Sequence, residues 1–301
     1  MFTKQGWINL YKPKNISSFK AINSLKKEFL INKIGHAGTL DPMAEGVLPV
    51  AIGKATKLIP YISIMNKEYE FTISWGSQTM TDDAEGKILF ESNYFPQKNE
   101  IEKKIINYLG FINQIPPKVS AVKVNGNRAY KLVRNNETFK IQPKKVLVEN
   151  LSIIDHSIKK TSFKILCGKG FYVRSLARDL ALDLKTYGHI SSLKRSKVGK
   201  FNEKNSILLD DLLKIGQRHK EINCISPTIS MLDDILAYEI DDQLDIKNLS
   251  FGRSIKIDEN KIINSSSINL DKENILLSNK GDIVSIGKLD GNLFIPNKIL
   301  I

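Results

Sequence analysis

Three features of the sequence predict an α+β fold with a small all-β module behind it. Glu68 to Trp75 alternates strictly, Tyr69, Phe71, Ile73 and Trp75 facing one way, which is the period of a half-buried strand. Val173, Leu176, Ala177, Leu180 and Leu184 recur at helical spacing, yet strands and helices follow one another without regular βαβ alternation. Beyond Ser226-Pro227 the charge balance changes sign, and Gly252, Gly281, Gly287 and Gly291 separate short β-rich runs such as Ile283 to Ile286. The boundary is therefore drawn at 1–228 and 229–301.

Trp7 to Tyr11 reads as a strand running into Lys12-Pro13. Ser17 or Ser18 can cap a helix whose apolar positions are Phe19, Ile22, Leu25 and Phe29. Val47, Leu48, Val50, Ala51 and Ile52 read as a short, fully buried segment. Asp82 to Gly86 is a turn, and Ile101, Ile105 and Leu109 mark a second helix. Val146–Val148, Leu151–Ile153 and Phe163–Cys167 read as strands. A helix starts near Tyr172, with Arg174 and Arg178 one turn apart.

The net charge of +13 is unevenly spread. Residues 229–301 carry 8 Lys/Arg against 12 Asp/Glu, leaving +17 on the first 228 residues. Lys118 to Lys145 holds 8 basic residues and one acid, and Lys164 to Lys204 holds 10 basic and 3 acidic. Such clustering is the footprint of a polyanion partner, although a Lys- and Asn-rich composition can also scatter lysines over a solvated face. No apolar run approaches the ~20 residues a membrane helix needs, and Met1 to Leu10 has no signal-peptide apolar region. Cys167 and Cys224 are far apart, which disfavours a disulfide framework or a zinc site. The expectation is a cytoplasmic protein without metal or cofactor.

The chemistry concentrates in Gly35 to Pro42. One carboxylate, Asp41, sits in a glycine-bounded loop beside His36 and ahead of the buried run. Asp-Pro is also a common turn initiator. A buried acid costs several kcal/mol unless a cation offsets it, so the chain should supply one. Arg174, after Gly168-Lys169-Gly170, is the best candidate and would keep Asp41 ionised; its bland reading is a surface or phosphate-contacting arginine. Tyr69 is either a core phenol or a stacking platform and proton acceptor. Ser and Cys nucleophile signatures, a P-loop and a strand-linked GxGxxG are missing, which argues against the corresponding hydrolases, kinases and nucleotide-cofactor enzymes.

These residues resemble the bacterial tRNA pseudouridine-55 synthases of TruB type. Lys12 to Ser18 is similar to KPxGxSS, with Asn15 at the glycine. Gly35 to Asp41 and its sequel resemble GHxGxLDPxAxGxLP, and Lys67 to Phe71 matches the strand carrying the active-site tyrosine. Lys169 to Ser175 resembles KGxYxR, and Leu193 to Arg195 resembles LxR. The likeness spans residues 5 to 235, and Met80 departs from it by replacing an acid ahead of Asp83. It implies a mixed, mainly antiparallel catalytic sheet with flanking helices and a PUA-like C-terminal module.

The resemblance further implies isomerisation of a tRNA T-loop uridine by a monomer that needs no protein partner. Asp41 would be the nucleophile, Tyr69 would stack on the base and help remove a proton, and Arg174 would hold Asp41. His36 would stack or fill space, Leu193 would exclude water, and Lys12, Pro13, Asp83 and Tyr172 would join the substrate site. Residues 118–145 would clamp the T-stem-loop. The alternatives are a non-catalytic tRNA-binding or folding protein and, less favoured by the charge, a carboxylate glycosidase.

Overall fold

The computed structural model describes residues 5–219, 224–228, 236–262, 274–280 and 282–301. Strand β1 (Gly6–Lys12) leads through helix α1 (Ser18–Glu28) to β2 (Ile34–His36) and β3 (Glu45–Ile52). Helix α2 (Ile59–Ile64) feeds β4 (Lys67–Trp75), then a hairpin of β5 (Ser77–Thr79) and β6 (Ile88–Glu91). Helix α3 (Lys98–Ile105) precedes β7 (Gly110–Gln114). The basic stretch forms a second hairpin, β8 (Lys123–Val124) and β9 (Asn127–Arg128), and helix α4 (Ala129–Arg134). β10 (Lys144–Ser157), β11 (Lys160–Cys167), α5 (Val173–Asp183) and β12 (Gly188–Val198) follow. Short β13 (Phe201–Asn202) and β14 (Ile207–Leu208) precede α6 (Leu209–His219).

Ten strands share one sheet along the path β14-β1-β3-β12-β4-β11-β10-β7, with β2 on β3 and β13 on β12. Among the described residues its pairs are antiparallel except β1–β14 and β3–β12, so the mixed, mainly antiparallel α+β expectation is met. Strand β4 lies near the middle with Tyr69, Phe71, Ile73 and Trp75 buried, and the stripe of α5 packs in the same core.

Several elements differ from their sequence reading. Ser17 caps α1 by accepting from Lys20 N, but Phe19 is 66% exposed, because the buried stripe runs through Ser18, Ala21, Ile22 and Leu25. Helix α3 ends at Ile105, and Leu109 lies beyond a 3-10 turn. The two short strands after Lys144 are one, β10, with irregularities after Val148 and Ile153 that break its alternation.

Beyond residue 236 a five-stranded sheet runs β15-β17-β18-β19-β16: β15 (Ala237–Glu239), β16 (Ile255–Lys256), β17 (Ile275–Asn279), β18 (Asp282–Asp290) and β19 (Leu293–Ile299). Among the described residues it also carries helix α7 (Gln243–Ser250), not read from sequence and capped by Asp242. Ile229, where the second unit was expected to begin, and Gly281 lie outside the described residues. Leu276, Ile283, Ile286 and Leu300 of this region join Trp7, Ala37, Val47 and Ala51 in one buried cluster.

Candidate active site

The loop between β2 and β3 carries Asp41, and neighbouring elements fasten it. Asp41 O accepts from Ala44 N at 3.1 Å, closing a tight turn with Pro42 at its second position. Ser18 Oγ donates to Leu40 O and accepts from Leu40 N, tying the loop to the start of α1. Asn15, in the left-handed region at φ 63°, donates its N–H to Pro42 O, so asparagine serves where the family pattern has glycine. Lys12 is fully buried, and its ammonium donates to Pro13 O, Ile16 O and Ala44 O at 2.9, 2.7 and 2.5 Å. Burial lowers Lys12 to about 8, while the charge of Asp41 works the other way.

Arg174 projects from the first turn of α5. Its Nε lies 2.9 Å from Asp41 Oδ2, and its Nη1 lies 3.4 Å from Asp83 Oδ2. Nη1 also donates to Thr81 O and Val119 O. The side chains of Arg174 and Asp83 are 8% and 3% exposed, whereas Asp41 is 34% exposed. Of this triad, Asp41 is therefore the group most open to solvent, and Asp83 is the more buried of the two carboxylates on Arg174. Asp83 accepts from Thr81 Oγ1 and Glu85 N, which fixes its carboxylate. Tyr172 precedes α5, and the Gln114 side chain both donates to its carbonyl and accepts from its N–H, at 3.0 and 2.8 Å.

Asp41, Tyr69, Tyr172, Arg174 and Leu193 line one cleft of about 550 Å³, the scale of a small-ligand site. Tyr69 on β4 stands opposite Arg195 of β12. Burial pushes its phenol up, and the charge and hydrogen bond of Arg195 pull in the other direction. Burial likewise raises the phenol of Tyr172, which Arg174 partly offsets. Val119, Ser120, Ala121 and Tyr130, from the basic stretch, close another side.

Lys12, Pro13, His36 and Asp83 do not line this cleft. Lys12 and Pro13 brace the Asp41 loop through the bonds above. His36 is half-buried on β2 opposite Val50; burial, then the charge of Arg195, lowers its imidazole, and its Nδ1 has no partner among the described residues. Sequence reasoning passed over Lys67 and Arg195, which both line the cleft. Arg195 is 1% exposed, donating from Nε to Val47 O and from Nη2 to Gly38 O. Lys67 was legible as the one charged residue in phase with Tyr69 and Phe71. Gln114 carried no such signal, because its two bonds join β7 to the residue before α5, far apart in sequence. Among the described residues no cluster of His, Cys, Asp or Glu is arranged to hold a metal ion.

Residues 26–173 match the family model described as TruB family pseudouridylate synthase (N terminal domain), and residues 174–237 match the tRNA pseudouridylate synthase B C-terminal domain. The tRNA pseudouridine synthase B of Ehrlichia chaffeensis is 41% identical over 266 residues, covering 87% of this chain and 90% of the relative. That of Bartonella bacilliformis is 39% identical over 307 residues, covering 98% and 95%. A solved Cbf5-Nop10-Gar1 complex contains a chain that superposes with a TM-score of 0.75 over 98% of this chain and 85% of that one. Its 22% identity makes that a likeness of fold. The Asp41 loop and Arg174 fall within the matched ranges, and relatives are matched almost end to end: the chain belongs to the TruB family of pseudouridylate synthases.

Proposed function

We propose that this enzyme converts a uridine in the T-stem-loop of tRNA to pseudouridine, with Asp41 as nucleophile. The observation that carries the reading is a partly exposed carboxylate held by a buried guanidinium, both lining one cleft with Tyr69, Tyr172 and Leu193. A T-loop uridine reaches such a site only when flipped out of its stack, at a cost of a few kcal/mol. Tyr69 then stacks on the uracil. Its raised phenol stays neutral near pH 7, which suits stacking and relaying a proton better than service as a free phenolate.

Asp41 attacks the nucleoside at C1′ or at uracil C6, the C1′–N1 bond breaks, the uracil turns, and C5 bonds to C1′. The C5 proton is lost and N1 gains one, so the reaction is an isomerisation and consumes no energy carrier. Leu193 and Tyr172 keep water from the intermediate. In this reading residues 1–228 are the catalytic unit, 118–145 clamp the RNA by shape and phosphate contact, and 229–301 form a PUA-like module. The enzyme works as a monomer in the cytoplasm, beside its tRNA and where Cys167 and Cys224 stay reduced.

Tritium release from tRNA labelled at uridine C5 tests this. Wild type releases label; Asp41→Asn releases none while its tRNA affinity stays within about threefold. Label release by Asp41→Asn removes Asp41 from the chemistry. Binding without release by wild type leaves a tRNA-binding or folding protein instead.

A further inference from the structure

Lys67 lines the cleft, yet the mechanism above gives it no task. It occupies the buried face of β4 two residues before Tyr69 and is 8% exposed. Its Nζ donates to Ser63 O at 3.0 Å and Met65 O at 2.6 Å, the carbonyls ending α2, which fixes the ammonium in place. An ammonium has three donors, so one N–H remains for a ligand. Arg195 stands beside it: a Cβ on Gly38 would lie 3.8 Å from Lys67 Cε and 3.3 Å from Arg195 Nη1. Among the described residues both cations are met by backbone carbonyls and neither by a carboxylate. Two cations buried without a counter-charge are costly unless an anion arrives during function.

We propose that Lys67 is a catalytic residue whose ammonium binds the pyrimidine oxygen that becomes negative during the isomerisation. This rests on the pseudouridine-forming reading. Attack of Asp41 at C1′ forms a C1′–O bond and breaks C1′–N1, whose electron pair spreads over N1 and O2 of the uracil. Attack at C6 forms a C6–O bond and drives the ring π pair onto O4. Either way the ring turns anionic beside a buried cation, which lowers the barrier far more than it would in water. The charge is withdrawn when C5 bonds to C1′ and the bond to Asp41 breaks, returning its pair to the carboxylate. Lys67 keeps its proton throughout.

Tritium release is compared for wild type, Lys67→Met and Lys67→Arg, using the full chain and a T-arm RNA. In Lys67→Met, kcat falls about a hundredfold and KM stays within about twofold. Lys67→Arg keeps about a tenth or more of the wild-type rate, because the positive charge survives. The groups facing Lys67 are Arg195, Lys169 and Cys167; burial and the two cations lower Lys67 to about 8. Cys167, pushed up to about 12 by burial, does not titrate nearby. Wild-type kcat therefore declines above about pH 8, whereas Lys67→Arg holds its rate to higher pH. Full kcat in Lys67→Met overturns the proposal, as does a raised KM at unchanged kcat, the mark of a phosphate contact. Should Lys67→Met fail to fold, identical alkaline limbs in wild type and Lys67→Arg overturn it. Absence of label release from wild type overturns the parent reading itself.

Discussion

Arg174 reaches Asp41 through Nε and Asp83 through Nη1, and a lysine cannot span both. Arg174→Lys should lower kcat about a hundredfold, since small misplacements of a reacting group cost that much. It should also lower the melting temperature, because Asp83 loses its partner while buried; a melting curve beside the tritium assay checks both. The lysines that brace the cleft give a pH signature. Lys12 and Lys67 stand at about 8 in the fold against 10.5 in the open chain. Between those values the unfolded state binds more protons, so stability rises with pH. The buried Cys167 thiol, ordinarily titrating at 9.0 and raised in the fold, opposes this above pH 9. The urea midpoint should therefore climb between pH 7.5 and 9, and climb less in Lys67→Met. Turnover should fall over the same range, which separates catalysis from stability.

At the scale of elements, the cleft depends on β3 and β12 running side by side. Gly46 makes that possible: its φ is +111°, and a Cβ there would lie 2.2 Å from Arg195 O. Gly46→Ala should cost more than about 3 kcal/mol, read as a collapse of the urea midpoint. Gln114 offers a milder test on α5. Gln114→Ala leaves the N–H of Tyr172 unpaired, while its carbonyl keeps the Leu176 N–H, and should cost about 1–3 kcal/mol. What was legible here follows period. Strand β4 and helix α5 announce themselves because one face of each is apolar over several residues. Strand β12, Gly-His-Ile-Ser-Ser-Leu-Lys-Arg-Ser-Lys-Val, does not: an irregularity between Ile190 and Ser192 shifts its phase, and its buried arginine reads as polar surface.

For the whole molecule, charge and packing divide the work. Binding of tRNA should weaken with salt by a log–log slope of roughly −0.7 to −0.9 per phosphate neutralised. Replacing Lys123 or Lys131 by Gln should reduce that slope by about one each. The region beyond residue 236 behaves differently. Its Leu276, Ile286 and Leu300 share a core with Ala37 and Val47, which flank the Asp41 loop. Ile286→Ala should cost about 2–5 kcal/mol while leaving the salt slope of tRNA binding unchanged. No helix among the described residues is long and apolar enough to cross a membrane.

The sequence by itself determined the fold class, the glycine-bounded acid, the tyrosine on an apolar strand face and the arginine opening a helix. Each is a local signal, carried by period, turn chemistry or a short motif. Only the tertiary structure decided that Lys12 braces a loop rather than facing the cleft, that Asp83 stands behind Arg174, and that buried Lys67 and Arg195 line the same cleft as Asp41. Those outcomes come from contacts between segments far apart in the chain. A side chain's burial and partners are properties of the packed sheet, and no window of sequence contains them.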